Sequence, residues 1–352
     1  MSDYDQGRML DELARKYERG DGVAQSDVEA SRWYQQAARH GNTHALYSLG
    51  LFHETGRGVD RSDAQAAHWY RLAAERGDAW AQFRLGRLCR KGRGVERDPA
   101  AAARLFEQAA GQGHADAEIE LGALYEQGLG VPKQPERAVE LFRSAAEKRN
   151  PQAEYLLGMS YLRGLGVAQS YVSAAHWFRL AATQGNGRAQ IELGALHADG
   201  RGVTQSDEEA ANWFTIAAEQ GLPGAQFNLA VCYAAGRGVP RSDAKALHWY
   251  RLAAAQKYNP ARNNLGQFYE YGRGVDQSDE EAVRLYRLAA EAGHPTAQCN
   301  LGRMYERGRG VAASYADAVL WYEASAKAGN LLAREALRRL RDEASSDAAA
   351  LP

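Results

Sequence analysis

Residues 49–59, LGLFHETGRGV, carry a pattern that recurs along almost the whole chain. The shape Leu-(Gly/Ala)-x-x-x-x-x-Gly-x-Gly-Val is found nine times, with its leucines at Leu13, Leu49, Leu85, Leu121, Leu157, Leu193, Leu229, Leu265 and Leu301. Each step is 36 residues, without insertion or deletion. Self-similarity at a period of 20–50 residues marks a repeat array, in which each unit buries its apolar face against its neighbours.

One unit around this stretch spans residues 42–77. Ala45, Leu49, Phe52 and His53 fall at i, i+4, i+7 and i+8, one face of a helix. Asn42 stands at the N-cap position, and Asp78, Asn150, Asn186 and Asn330 share its phase. Pro151, Pro223 and Pro295 come one residue later, at the first helical position, where a missing N–H costs nothing. The helix ends at Gly56, and Gly58 follows; both glycines recur in all nine copies, as a turn with positive φ requires. Ser62 then caps a second helix, with Glu29, Gln65, Glu209 and Glu281 placed three residues after their serines to complete capping boxes. Ala66, Trp69, Tyr70, Ala73 and Ala74 form the apolar stripe of that helix, and Gly77 closes it. The unit is thus two antiparallel helices of about 13 residues joined by short turns.

The tryptophan phase holds Trp33, Trp69, Trp177, Trp213, Trp249 and Trp321, with leucine in the other three repeats. Beside alanines at helical spacing, these six are expected in the core, where losing one costs on the order of 3–5 kcal/mol.

The combined pattern, Ala-x-x-x-Leu-Gly-x-x-Tyr-x-x-Gly-x-Gly-Val followed by Ala-x-x-Trp-Tyr-x-x-Ala-Ala, resembles the Sel-1-like repeat family, 36-residue relatives of tetratricopeptide repeats. The resemblance covers residues 6–343. It implies an all-α, right-handed α/α solenoid whose first helices line a concave face. It also implies work as an adaptor or scaffold, often bacterial, in signalling, envelope, virulence or toxin–immunity systems. The expected repeats are 6–41, 42–77, 78–113, 114–149, 150–185, 186–221, 222–257, 258–293 and 294–329, with a capping helix at 330–343 and disordered tails at 1–5 and 344–352. Some members carry paired cysteines in each repeat. Cys89, Cys232 and Cys299 occupy three different phases instead, which predicts isolated thiols.

Composition narrows the partners. Lys+Arg number 43 against Asp+Glu 44, so no basic face for nucleic acid is expected, nor a polybasic membrane anchor. No run approaches the ~18 apolar residues of a membrane span. The opening MSDYDQGRML lacks a basic segment followed by an apolar one. A cytoplasmic setting is therefore expected, or a periplasmic or secreted one if a leader has been removed.

At the ends, the phase that elsewhere holds Tyr47, Phe83, Ile119, Tyr155, Ile191 and Phe227 carries Asp11 and Glu335. Polar terminal repeats keep a solenoid from stacking end to end, which predicts a monomer. Arg149 and Lys257 replace the glycine that closes the second helix, suggesting a different local turn at those two points.

No chemistry stands out. The Gly-x-Gly-Val segments lack the third glycine and preceding strand of a dinucleotide loop. His53 and His197 are 144 residues apart, and His68, His176 and His248 precede the tryptophan phase on the outer side of the second helix. No His-Glu-x-x-His, Cys-x-x-Cys or Gly-x-Ser-x-Gly is present. No catalytic set, metal site or cofactor is expected.

Function is therefore sought in the variable phases. By comparison with tetratricopeptide repeats, the concave face is built two, six and nine residues after each framework alanine. Repeat 3 contributes Phe83, Arg87 and Arg90; repeat 4, Ile119, Ala123 and Glu126. Repeats 5 to 7 contribute Tyr155, Met159 and Leu162, then Ile191, Ala195 and Ala198, then Phe227, Val231 and Ala234. Repeat 8 contributes Asn263, Gln267 and Glu270, and repeat 9 Cys299, Arg303 and Glu306. An apolar middle with charged flanks is the composition of a protein-binding surface. The expected partner is another protein or peptide segment, held by an adaptor. The alternative is an immunity or inhibitor protein that wraps and neutralises a toxic enzyme.

Overall fold

The computed structural model describes residues 2–349; residues 1 and 350–352, and the side chains from 343 onward, lie outside that description. Among the described residues there are nineteen helices and no strand. They fall into two compact units, Met1–Gln184 and Gly185–Pro352. The first unit holds α1 (Asp3–Arg19), α2 (Asp27–Arg39), α3 (Thr43–Thr55), α4 (Asp63–Ala74), α5 (Ala79–Lys91), α6 (Pro99–Gly111), α7 (Ala115–Gln127), α8 (Pro135–Glu147), α9 (Pro151–Arg163) and α10 (Tyr171–Thr183). The second holds α11 (Gly187–Asp199), α12 (Asp207–Glu219), α13 (Pro223–Ala235), α14 (Asp243–Ala255), α15 (Asn259–Glu270), α16 (Asp279–Glu291), α17 (Pro295–Arg307), α18 (Tyr315–Lys327) and α19 (Leu331–Ala349). Within each unit every first helix packs on its own second helix, and that helix packs on the first helix of the next repeat. This is an all-α solenoid of helix pairs.

The local signals act as their chemistry requires. Asn42 accepts from the Ala45 N–H at 2.9 Å, and Ser62 from that of Gln65 at 3.2 Å. Gly56 (φ 77°) takes the left-handed conformation and donates to the Phe52 carbonyl at 2.8 Å. The Ser62 N–H then donates to the His53 carbonyl at 2.9 Å, tying the end of the turn back to α3. Gly58 (φ 62°) has a second duty: a Cβ there would lie 2.2 Å from the Asp27 carbonyl oxygen. The turn is seated directly on the start of the preceding repeat's second helix.

Several expectations need correction. The ring that fills the gap inside each helix pair belongs to the residue after the tryptophan. Tyr34, Tyr70, Phe106, Phe142 and Phe178 in the first unit are buried, as are Phe214, Tyr250, Tyr286 and Tyr322 in the second. The six tryptophans of the preceding phase are half-buried at the margin of the core. The reason is the framework glycine, since a Cβ on Gly50 would meet the Tyr70 ring at 2.4 Å. That glycine gives the Tyr or Phe ring direct access to the first helix. Exposed His68, His176 and His248 lie edge-on to Trp69, Trp177 and Trp249 at 5.2–5.3 Å between centroids.

Of the four expected capping boxes, only the serine half forms. Glu29 and Glu281 turn instead to Arg32 and Arg284, three residues on, at 2.5 and 2.6 Å. A reciprocal box occurs at Ser2 and Asp5, so helix begins at Asp3 where the sequence suggests a tail. At the other end α19 continues to Ala349, past the expected limit of the cap; the rest of that expected tail, 350–352, lies outside the described residues. Asp11 is buried and shares a hydrogen bond with the His44 ring at 2.7 Å, so it is an internal partner and no outward cap. Arg149 (φ 59°) and Lys257 (φ 63°) keep the left-handed turn that glycine makes elsewhere.

Candidate protein-binding face

In the first unit, Tyr155, Met159 and Leu162 of α9 are all half-buried. The Tyr155 ring lies 5.9 Å from that of Phe178, tilted by 36°. Arg87 places its guanidinium over the Phe83 ring at 5.7 Å, and Arg90 pairs with Glu120 at 2.5 Å. The two arginines expected to meet a partner thus already have internal contacts.

In the second unit, Ile191, Phe227 and Val231 are also half-buried. Phe227 sits between Tyr250 and Tyr258, at 6.0 and 5.6 Å. Val231 lines a cleft of about 200 Å³ with Ala195, Ala198, Phe214, Asn228 and Cys232 at its walls and Asp199, Asp207 and Arg237 at its polar rim.

The charged flank is different. Glu270 is fully buried. It receives two bonds from Arg303 at 2.6 and 2.8 Å, one from Arg309 at 3.1 Å and one from the Tyr286 hydroxyl at 2.7 Å. Burial alone would raise its pKa; the bonds from Arg303 and Tyr286 and the charges of Arg303 and Arg309 outweigh that and hold it below the usual carboxylate range. Glu306 likewise accepts from Tyr322 at 2.7 Å and from Arg339 at 2.5 Å. Glu270, Arg303 and Glu306 therefore fasten successive repeats together and offer no free charge to a partner.

Two recurring fastenings accompany these contacts, the first within a repeat and the second between repeats, and neither is among the sequence-based expectations. In the first, a tyrosine hydroxyl donates to a glutamate 16 residues earlier: Tyr34 to Glu18, Tyr70 to Glu54, Tyr286 to Glu270 and Tyr322 to Glu306. In the second, an arginine between the two turn glycines grips an aspartate 30 residues earlier. Arg57 holds Asp27, Arg93 holds Asp63, Arg273 holds Asp243 and Arg309 holds Asp279, at 2.6–2.7 Å in their shortest contacts. Where the aspartate phase holds Pro99 or Pro135, the arginine phase holds Leu129 or Leu165. That paired exchange between phases is the signal by which the sequence could have revealed the grip.

The remaining chemistry is sparse. Cys89, Cys232 and Cys299 are free thiols. Among the described residues no group of His, Cys, Asp or Glu is placed to hold a metal ion. Among them, too, no helix is long and apolar enough to cross a membrane.

The family model described as Sel1 repeat matches nine segments: 11–42, 43–78, 81–114, 115–150, 151–186, 187–222, 223–258, 259–294 and 295–330. Among solved structures, the chain is similar to a Sel1 repeat protein from Oxalobacter formigenes, at 32% identity and a TM-score of 0.67, over 88% of this chain and 89% of that one. It is also similar to a protective antigen present in uropathogenic Escherichia coli strains, which displays the same repeat fold. There the identity is 30% and the TM-score 0.63, over 96% of this chain and 80% of that one. No curated protein matches the chain.

Proposed function

The chain belongs to the Sel1 repeat family, and from that we propose a non-enzymatic adaptor or scaffold that holds a segment of another protein on its first-helix face. One observation supports this reading above the others. Repeats near the ends close that face with Glu–Tyr–Arg networks, whereas Met159 and Leu162 in one unit and Ala198 and Val231 in the other leave it apolar. Apolar side chains at phases that elsewhere bear charge join none of those networks, and all four are half-buried. They suit an extended segment or the apolar stripe of a helix.

The reading takes the free protein as a monomer. Its test is capture of partners on the immobilised full chain, identified by mass spectrometry, with M159E/L162E and V231E as comparisons. Loss of the captured partner in both variants, with helical circular dichroism unchanged, is the expected result. Capture at the wild-type level by either variant sinks the proposal for the unit it alters. Several partners of modest affinity fit a scaffold, and one stoichiometric enzyme held tightly and inactivated fits an inhibitor.

A further inference from the structure

The chain carries its own template for what belongs in the cleft beside Val231. Five phases line the gap between successive repeats. In the first junction they are Glu18, Asp27, Tyr34, Leu51 and Arg57. Arg57 grips Asp27 at 2.7 Å and also reaches Glu18 at 3.2 Å, while Tyr34 donates to Glu18 at 2.6 Å. Between repeats 8 and 9 the same phases hold the Glu270 network.

Between repeats 6 and 7 those five positions are Ala198, Asp207, Phe214, Val231 and Arg237. The glutamate and the hydroxyl that served it are gone; the aspartate and arginine remain, beside a cleft of about 200 Å³. Arg237 is exposed, whereas Arg57, Arg93, Arg273 and Arg309 are half-buried. Among the described residues its guanidinium makes no hydrogen bond or ion pair. It also lacks a supporting ring: Arg57 lies over Phe52 and Arg273 over Phe268, but Cys232 occupies that phase beneath Arg237. The other rim acid, Asp199, is paired with Arg201 at 2.5 Å.

We propose that this cleft receives one acidic side chain, a glutamate or aspartate of a partner polypeptide, whose carboxylate takes on Arg237 the place that Glu18 takes on Arg57. The aliphatic stem packs on Phe214 and Val231, in space that the chain fills from within at the other junction. The first junction shows that one guanidinium can serve two carboxylates with an apolar residue, Leu51, at the Val231 phase. A charge-assisted bond to a guanidinium released from its usual clamp supplies the recognition. This rests on the protein-binding reading and narrows it to a segment bearing an acid among apolar residues.

The test titrates the full chain with three capped pentapeptides, Ala-Val-X-Val-Ala with X as Glu, Lys or Leu. Nuclear magnetic resonance follows the Ala198 and Val231 methyls and the Arg237 Nε–H. The expected result is saturable shifts with the Glu peptide, weakened by salt, and reduced about tenfold in affinity by R237Q. A198E rebuilds the internal clamp, so it raises Tm by roughly 2–4 °C and blocks the peptide. Equal binding of the Lys or Leu peptide, indifference to R237Q, or no shift with the Glu peptide at about 10 mM overturns the inference. If A198E does not fold, R237Q alone gives the answer. Partner capture that needs Met159 and Leu162 but is unaffected by R237Q overturns only this inference and leaves the broader reading intact.

Discussion

Arg303, from the ninth repeat, closes on both oxygens of the Glu270 carboxylate, from the eighth, at 2.6 and 2.8 Å. Glu270 is 0% exposed; loss of Arg303 leaves it only Arg309 and Tyr286, and loss of Glu270 leaves the half-buried Arg303 without its carboxylate. E270A or R303V is expected to cost about 3–5 kcal/mol in urea unfolding. The double variant E270A/R303V copies the Ala198 and Val231 phases and is expected to cost less than the sum, with a coupling of at least about 1 kcal/mol. Acid sensitivity has a definite sign here. The folded pKa of Glu270 lies below the ordinary value, so its contribution is complete above about pH 4.3. It is lost as pH falls through the lower folded value. The gap between the wild type and E270Q therefore closes only as pH falls through that lower folded value.

Arg149 and Lys257 hold a left-handed backbone at φ 59° and 63° that costs a side-chain-bearing residue about 1–2 kcal/mol. Glycine removes the strain but loses more entropy on folding, about 0.5–1 kcal/mol. R149G and K257G are each expected to stabilise the chain by roughly 0.5–1 kcal/mol, measured as an upward shift in the denaturation midpoint. A fall in the midpoint would show that these side chains secure their turns.

Two glycines with positive φ should respond differently to alanine. Gly77 (φ 86°) has nothing within 4 Å of where a Cβ would stand, so G77A is expected to cost only backbone strain, about 1 kcal/mol. Gly58 (φ 62°) would press its Cβ to 2.2 Å from the Asp27 carbonyl oxygen, with no flexible side chain to give way. G58A should cost at least about 3 kcal/mol, since strain and a backbone displacement add. Equal midpoints for the two variants would contradict the seating of this turn on α2.

Glu154 is 3% exposed and accepts a hydrogen bond from the Gln184 amide at 2.6 Å. Burial raises its pKa, and the bond from Gln184 only partly offsets this. The cost of the charged form is absent below the unfolded pKa, about 4.3, and complete once pH exceeds the raised folded value. Gln82, Gln190, Gln226 and Gln298 occupy the same phase elsewhere. E154Q should therefore stabilise the chain by about 1 kcal/mol near pH 7, and the gain should vanish near pH 4 in thermal unfolding. An E154Q variant less stable than wild type at neutral pH would refute this account.

The helix pairs, their caps and their turns are legible in the sequence because each depends on residues close along the chain: Asn42 on Ala45, Gly56 on Phe52, Ser62 on Gln65. What is not legible depends on contacts between repeats. By phase, Glu270 and Arg303 read as solvent-facing charges, because phase gives the direction of a side chain and not what stands opposite it. The tryptophans read as core for a related reason. Trp69 and Tyr70 both lie on the apolar stripe, and only the approach of α3 at Gly50 places Tyr70 inside and leaves Trp69 at the margin. Val231 and Met159 stand apart from the framework in the sequence itself, since their phases vary in charge from repeat to repeat.

The arginine–aspartate grip has a consequence for how such a chain can change its copy number. Each grip joins residues 30 apart on two neighbouring units, so it belongs to a boundary and not to a repeat. Loss of whole 36-residue blocks preserves every helix, cap and turn but creates one new boundary. A deletion that brought the repeat of Asp63 against that of Arg309 would restore a matched grip. One that brought Asp63 against the repeat of Leu165 would leave a carboxylate facing a leucine. Repeats alike in outline are thus not interchangeable in order, and recombination within this gene is constrained at its seams.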